Sequence, residues 1–338
     1  MPERDVLLRL AAALGALAAG AVAVTVVVLL AHRTPGPVSA ATPALPSAGT
    51  TTTSRGGSIA TSVAGFPAPP PNAIVFARED GSDALALALV PHGSQLQLQT
   101  SVVDRQGAGV TGLRVAYSVH RGDALARAVG KPCGAGCYSA SVSLPSRPTR
   151  VDVAVAGKHA TTIWRVALPD EWPPPDATRL LAQAERTWRS LETLVFHERL
   201  GSDPQHVVRT VWQVVAPDKL RYDVEGGSSA VIIGDRRWDK LPGQAWQRSS
   251  ALPVHQPVPF WAQVTDAHIL GTTTYRGHTV RRVTFFDPKT PAWFEVLIDA
   301  QTARTLDLRM TTTAHFMHES FEQFDGPVAI RPPACRDC

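Results

Sequence analysis

The sequence predicts a mainly β protein: one N-terminal transmembrane helix, an antiparallel β-sandwich, then a strongly curved antiparallel sheet packed on a single helix. Three observations lead there. Residues 10–31 are apolar and carry no charge. Two long stretches downstream alternate side-chain character with a period of two. Only one short segment between those stretches has the 3.6-residue period of an amphipathic helix.

The apolar run Leu10–Ala31 would span about 33 Å as a helix, enough for the hydrocarbon core of a bilayer. It is longer than the apolar run of a cleavable signal, so a retained anchor is expected. Val38-Ser39-Ala40 leaves a small-x-small cleavage site as the alternative. Arg4 and Arg9 precede the run, and His32 and Arg33 follow it, so the charge bias across it is slight. The expected topology is a single pass in the cell membrane, with residues 1–33 forming the cytoplasmic N-terminus and anchor. The bulk of the chain would then be extracytoplasmic. Residues 34–72 are rich in Pro, Ser, Thr, Gly and Ala, as in Thr50-Thr51-Thr52-Thr53-Ser54 and Pro67-Ala68-Pro69-Pro70-Pro71. Such a composition buries no core and reads as an extended stalk.

Residues 73–169 read as the sandwich. Leu85, Leu87 and Leu89 alternate with alanines, and Leu96 and Leu98 alternate with glutamines. Val115, Tyr117 and Val119 share a face, as do Val151, Val153 and Val155. Turn signals such as Pro91-His92-Gly93 and Asp104-Arg105-Gln106-Gly107 separate the runs. Cys133 and Cys137 flank Gly134-Ala135-Gly136, whose glycines let the two sulfurs meet. A disulfide in an oxidising compartment is expected, with a metal or redox site as the alternative.

Residues 170–333 read as the curved sheet. Asp176 stands where a helix would be capped, and Leu180, Ala184, Trp188 and Leu191 follow at helical spacing. Strands are expected near 193–200, 207–215, 220–224, 230–234, 237–240, 246–248, 267–275, 279–286, 293–299, 305–313 and 316–323. The clearest sets Leu306, Leu308, Met310 and Thr312 against Asp307, Arg309 and Thr311. Residues 334–338 form a tail ending in Cys335-Arg336-Asp337-Cys338. A disulfide is expected there as well. Without a thioredoxin-like setting a redox role lacks its context, and half of a metal site is the other reading.

Two resemblances add to these readings. The stretch 73–169 resembles the immunoglobulin-like YtkA-type domains of exported bacterial proteins, through Leu96–Asp104, Gly112–Ser118 and Gly136-Cys137-Tyr138-Ser139-Ala140. Such domains occur beside copper-handling proteins of the CopC and CopD type. The resemblance therefore implies a copper-transport membrane protein as an alternative partner. Residues 170–333 resemble the LolA and LppX-like lipoprotein-carrier family. The matching features are the leading helix, Ala216-Pro217-Asp218-Lys219-Leu220-Arg221-Tyr222, Val231-Ile232-Ile233-Gly234-Asp235-Arg236-Arg237-Trp238, and the hairpin 294–308. In that family a half-barrel and its helix enclose an apolar cavity for acyl chains. Carried over, the lining residues here would be Trp212, Tyr222, Ile233, Trp238, Phe285, Phe294, Leu308 and Met310. The competing reading is that these side chains fill a closed core.

No G-x-S-x-G elbow, P-loop, H-E-x-x-H or Rossmann glycine pattern occurs, so an enzyme is not expected. The net charge of +4 over 338 residues, without basic runs, points away from nucleic acid. No cofactor is needed. For copper, His315 and Met317 would share one strand face as candidate ligands, with His318 on the other face. The expectation is a membrane-anchored extracytoplasmic protein that holds a lipid or other apolar ligand. An accessory role in envelope copper handling, and an envelope sensor or interaction scaffold, stand beside it.

Overall fold

The computed structural model describes residues 66–335, apart from 82, 145–146, 158–159, 251–258 and 313–314. The expected membrane helix at 10–31, most of the expected stalk and Cys338 lie outside the described residues. Among the described residues, no helix is long and apolar enough to cross a membrane.

Nine strands form first: β1 (Ile74–Asp80), β2 (Asp83–His92), β3 (Gln95–Val103), β4 (Arg114–Arg121), β5 (Ala124–Val129), β6 (Lys131–Gly134), β7 (Cys137–Ser143), β8 (Arg150–Ala156) and β9 (Thr161–Ala167). They make two antiparallel sheets, ordered β1-β2-β3-β7-β6 and β5-β4-β8-β9. One core lies between them, built from Leu85, Leu87, Leu89, Leu96 and Leu98 of the first and Val115, Tyr117, Val151 and Val153 of the second. The Tyr117 hydroxyl donates to Tyr138 O at 2.8 Å, so its one polar atom is satisfied inside the core.

Cys133 and Cys137 form a disulfide. The adjoining loop is closely packed. Gly136 has φ +67°, and a Cβ there would meet Val102 O at 2.3 Å and Gly109 Cα at 2.6 Å. Both the conformation and the contact exclude a side chain. Gly136→Ala is expected to lower stability by about 2 kcal/mol. In urea titration this would appear as a lower midpoint at an unchanged slope.

The second unit opens with α1 (Thr178–Arg189), whose buried residues are Leu181, Ala184 and Trp188. Asp176 accepts the Thr178 N–H at 2.9 Å at the helix entry. Eleven strands follow: β10 (Thr193–Asp203), β11 (His206–Val215), β12 (Lys219–Val224), β13 (Ser229–Ile233), β14 (Arg236–Lys240), β15 (Gln247–Arg248), β16 (Thr265–Tyr275), β17 (His278–Asp287), β18 (Ala292–Asp299), β19 (Thr305–Thr312) and β20 (His315–Glu322). They form one antiparallel sheet ordered β15-β14-β13-β12-β11-β10-β20-β19-β18-β17-β16. Ile232 of β13 and Phe285 of β17 belong to the same core as Trp188 of α1. In a flat sheet β13 and β17 would lie roughly 34 Å apart, at about 4.8 Å per strand. A helix of this length, about 18 Å long and 10 Å wide, cannot reach both. The sheet must therefore curl around the helix.

The two units are fused rather than strung. Every second residue of β1 and β2 faces away from the sandwich core. Val75, Ala84, Ala86, Ala88 and Val90 pack on Phe286, Trp293 and Phe316 of the curved sheet. The Thr284 hydroxyl donates to Val75 O at 2.7 Å, and Arg105 pairs with Asp203 at 3.0 Å. Phe66, inside the segment read as stalk, is also buried in this seam and stacks edge-on against Trp293. The chain is thus held in the fold earlier than its Pro-rich composition suggests.

The junction between the units runs along the outer edge of β16. Ile269 N–H donates to Pro175 O at 2.8 Å and Ala177 N–H to Ala267 O at 3.0 Å. At the far end of the chain, Val328 and Ile330 pack with Val231 and Trp238 on the outer surface of β13 and β14.

Candidate functional site: the inner face of the curved sheet

In an antiparallel ladder, directly opposed residues lie on the same face. The register therefore writes the inner face as three parallel rows. Tyr222, Trp212, Phe196 and Phe321 form an aromatic row across β12, β11, β10 and β20. Phe196 and Trp212 stack at 5.8 Å, and Trp212 and Tyr222 meet at 5.0 Å. Leu200, Met317, Met310, Phe294 and Phe285 form another row, running from β10 to β17. Between them lies a row of Thr210, Glu198, Glu319, Leu308 and Val296. Trp188 of α1 closes the space, edge-on to both Phe321 and Trp261.

Six of the eight sequence-selected residues meet here: Trp212, Tyr222, Phe285, Phe294, Leu308 and Met310 all belong to this core. Ile233 and Trp238 do not. Tyr222 is opposed by Ala230 and Leu220 by Ile232, so Val231 and Ile233 point to the other side. Trp238 is opposed by Val231 and follows it outward, under the C-terminal segment. Both strands are apolar on each face, so hydrophobicity alone did not distinguish inside from outside.

What sequence reasoning missed lies at the centre. Glu198 and Glu319 are directly opposed on adjacent strands, and both are buried. Burial pushes the Glu198 carboxyl up to about 7, an effect partly offset by the neighbouring Trp212 indole. Burial, then the Glu198 charge, raises Glu319 well above the carboxylate range. Like charges this close in an apolar space do not both ionise, so the pair retains a proton at neutral pH. The indole N–H of Trp261 is also buried here without a hydrogen-bond acceptor. The inner face thus combines aromatic walls with two carboxyls and an idle donor.

His315 and Met317 sit on β20 as expected of a strand, with Met317 inside the core. His318 points outward and bonds Asp307 at 2.7 Å. Among the described residues, no three His, Cys, Asp or Glu side chains gather to hold a metal. Cys335 is disulfide-bonded.

No protein-family model matches the chain, and no curated protein sequence does. Among solved structures it is similar to the lipoprotein LppX of Mycobacterium tuberculosis, at 16% identity and a TM-score of 0.36, over 45% of this chain and 98% of that one. It is similar to LprF of Mycobacterium bovis, at 11% identity and a TM-score of 0.36, over 48% of this chain and 100% of that one. A DUF1329 family protein of Desulfovibrio piger matches at 9% identity and a TM-score of 0.27, over 46% of this chain and 96% of that one. None of these three is of the YtkA type.

Proposed function

We propose that the chain is a membrane-anchored extracytoplasmic binding protein that takes a lipid or other apolar ligand on the inner face of its curved sheet, and that it binds rather than catalyses. The single observation that carries this reading is the polar equipment of that face. Two carboxyls and an unpaired indole donor burden a core whose only task is packing. They suit a face that, once opened, grips the polar end of a mostly apolar guest. The surrounding aromatic rows supply the apolar surface, and burial of guest area supplies the affinity at roughly 25 cal/mol per Å². With Trp188 and Trp261 closing the inner face, the guest enters by displacing that layer. The uncharged run 10–31 supports the anchor, and the Cys133–Cys137 disulfide supports an oxidising compartment.

Native mass spectrometry of the full chain released from detergent, with organic extraction of what copurifies, tests the reading. A bound apolar species is expected in the wild type and diminished in Trp212→Ala. A mass that stays at the bare polypeptide after incubation with fatty acid and phospholipid would overturn it.

A further inference from the structure

The outer face of the same sheet carries a different pattern. Arg209, Arg199, His318 and Arg309 are directly opposed on β11, β10, β20 and β19, four consecutive members of one cross-strand row. Glu295 and Thr284 continue the row under β1. Like charges directly opposed on a sheet repel. Carboxylates relieve part of this row: Asp307 holds His318 at 2.7 Å. Arg209 approaches Glu225 at 3.7 Å and Arg309 approaches Asp307 at 3.8 Å, both long pairs. Glu295 is engaged by Arg282 at 3.2 Å. Arg199, in the middle and half-buried, has no ion pair and donates no hydrogen bond among the described residues.

A groove of about 330 Å³ lies over this middle, between the row and β1. Arg199, His318, Arg309 and Glu295 line it from the sheet, and Val75 to Glu79 line it from β1. Because Thr284 bonds Val75 O from outside the β1–β2 ladder, alternate β1 residues turn their amides toward the groove. The one carboxyl that could fill it from the wall is Glu79. Burial raises its pKa even though Arg199 opposes this, and its Oε1 is buried without a partner. No ion pair within 4.0 Å joins Glu79 to Arg199 among the described residues.

We infer that this groove is an oxyanion site, in which the guanidinium groups of Arg199 and Arg309 receive a phosphate-type group. The planar guanidinium fork matches the oxygens of such a group. The site is separate from the apolar inner face and lies on the opposite surface of the sheet.

Isothermal titration of the full chain in detergent, at constant ionic strength, tests the inference. The probes are inorganic phosphate, pyrophosphate, and dihexanoyl phosphatidylglycerol below its micellar concentration, with dihexanoyl phosphatidylcholine as the neutral-headgroup control. Saturable binding of phosphate or pyrophosphate is expected. It should weaken at least tenfold in Arg199→Gln and in Arg309→Gln, and stay unchanged in Arg127→Gln on the sandwich. Arg309 is exposed, so its replacement leaves folding intact and keeps the test valid if Arg199→Gln is unstable. Saturation by the glycerol lipid alone, lost in the same variants, would assign the oxyanion to a lipid headgroup. No saturation by any anionic probe, or equal binding by wild type and both groove variants, would overturn the site.

Discussion

Replacing Glu198 by glutamine is expected to raise the thermal midpoint at pH 8 and leave it nearly unchanged at pH 5. The Glu198 carboxyl is raised on folding from about 4.5 to about 7. The folded chain therefore binds more protons than the unfolded chain between those values. A carboxyl of this kind favours the fold most below its unfolded pKa, and that advantage is lost as pH rises through the folded value. The wild type should lose about 1.4 kcal/mol for each pH unit and each proton across the window. Glutamine has the shape of the neutral acid and removes the charge, so the variant should gain on the order of 3 kcal/mol at pH 8. It should also relieve Glu319, whose own shift includes the Glu198 charge. Calorimetric scans of both proteins from pH 5 to pH 8 measure this. Parallel curves would mean that water or a counter-ion already solvates the pair.

Trp293→Ala should have the second large effect, on cooperativity as well as stability. Trp293 is buried between the units, edge-on to Phe66 and 4.8 Å from Phe286. Removing a buried tryptophan of this kind costs about 3–5 kcal/mol. β1 and β2 present only alanines and valines to the seam, so its bulk comes from Trp293 together with Phe66, Phe286 and Phe316. The wild type is expected to melt in one calorimetric transition and the variant in two. A single transition at a lower midpoint would show that the Thr284 and Arg105 contacts couple the units unaided.

The strands and the helix were legible because each has a period. All eleven expected runs in the second half hold strands of the observed sheet, and the helix falls at Thr178–Arg189 within the expected segment. The seam was not read, although its trace is visible in Ala84 to Leu89. Leucine there alternates with alanine rather than with a polar residue, as suits a sheet buried on both faces. The carboxyl pair also left a trace. Leu194, Phe196 and Leu200 place residue 198 on the apolar face, and Met317 and Phe321 do the same for residue 319. One glutamate in such a phase reads as an irregularity. Two become a site only through the β10–β20 register, which joins residues far apart in sequence. Ile233 and Trp238 failed for the same reason: parity across a hairpin depends on the turn, and both faces of β13 are apolar.

The segment along β16 bears on whether so wide an open sheet can pair with a neighbour. An unpaired strand edge is a template for another copy of itself, and repeated edge-to-edge addition is the route to fibres. One end of this sheet finishes in β15, only two residues long and carrying Arg248. The other end is occupied at Ala267 to Ile269 by Pro175 and Ala177. Pro173, Pro174 and Pro175 have no amide hydrogen to offer, so an incoming strand finds no donors there. The proline triplet that marks the junction in the sequence thus also serves as a chain terminator for the sheet, blocking growth where the ladder would otherwise continue into a neighbour.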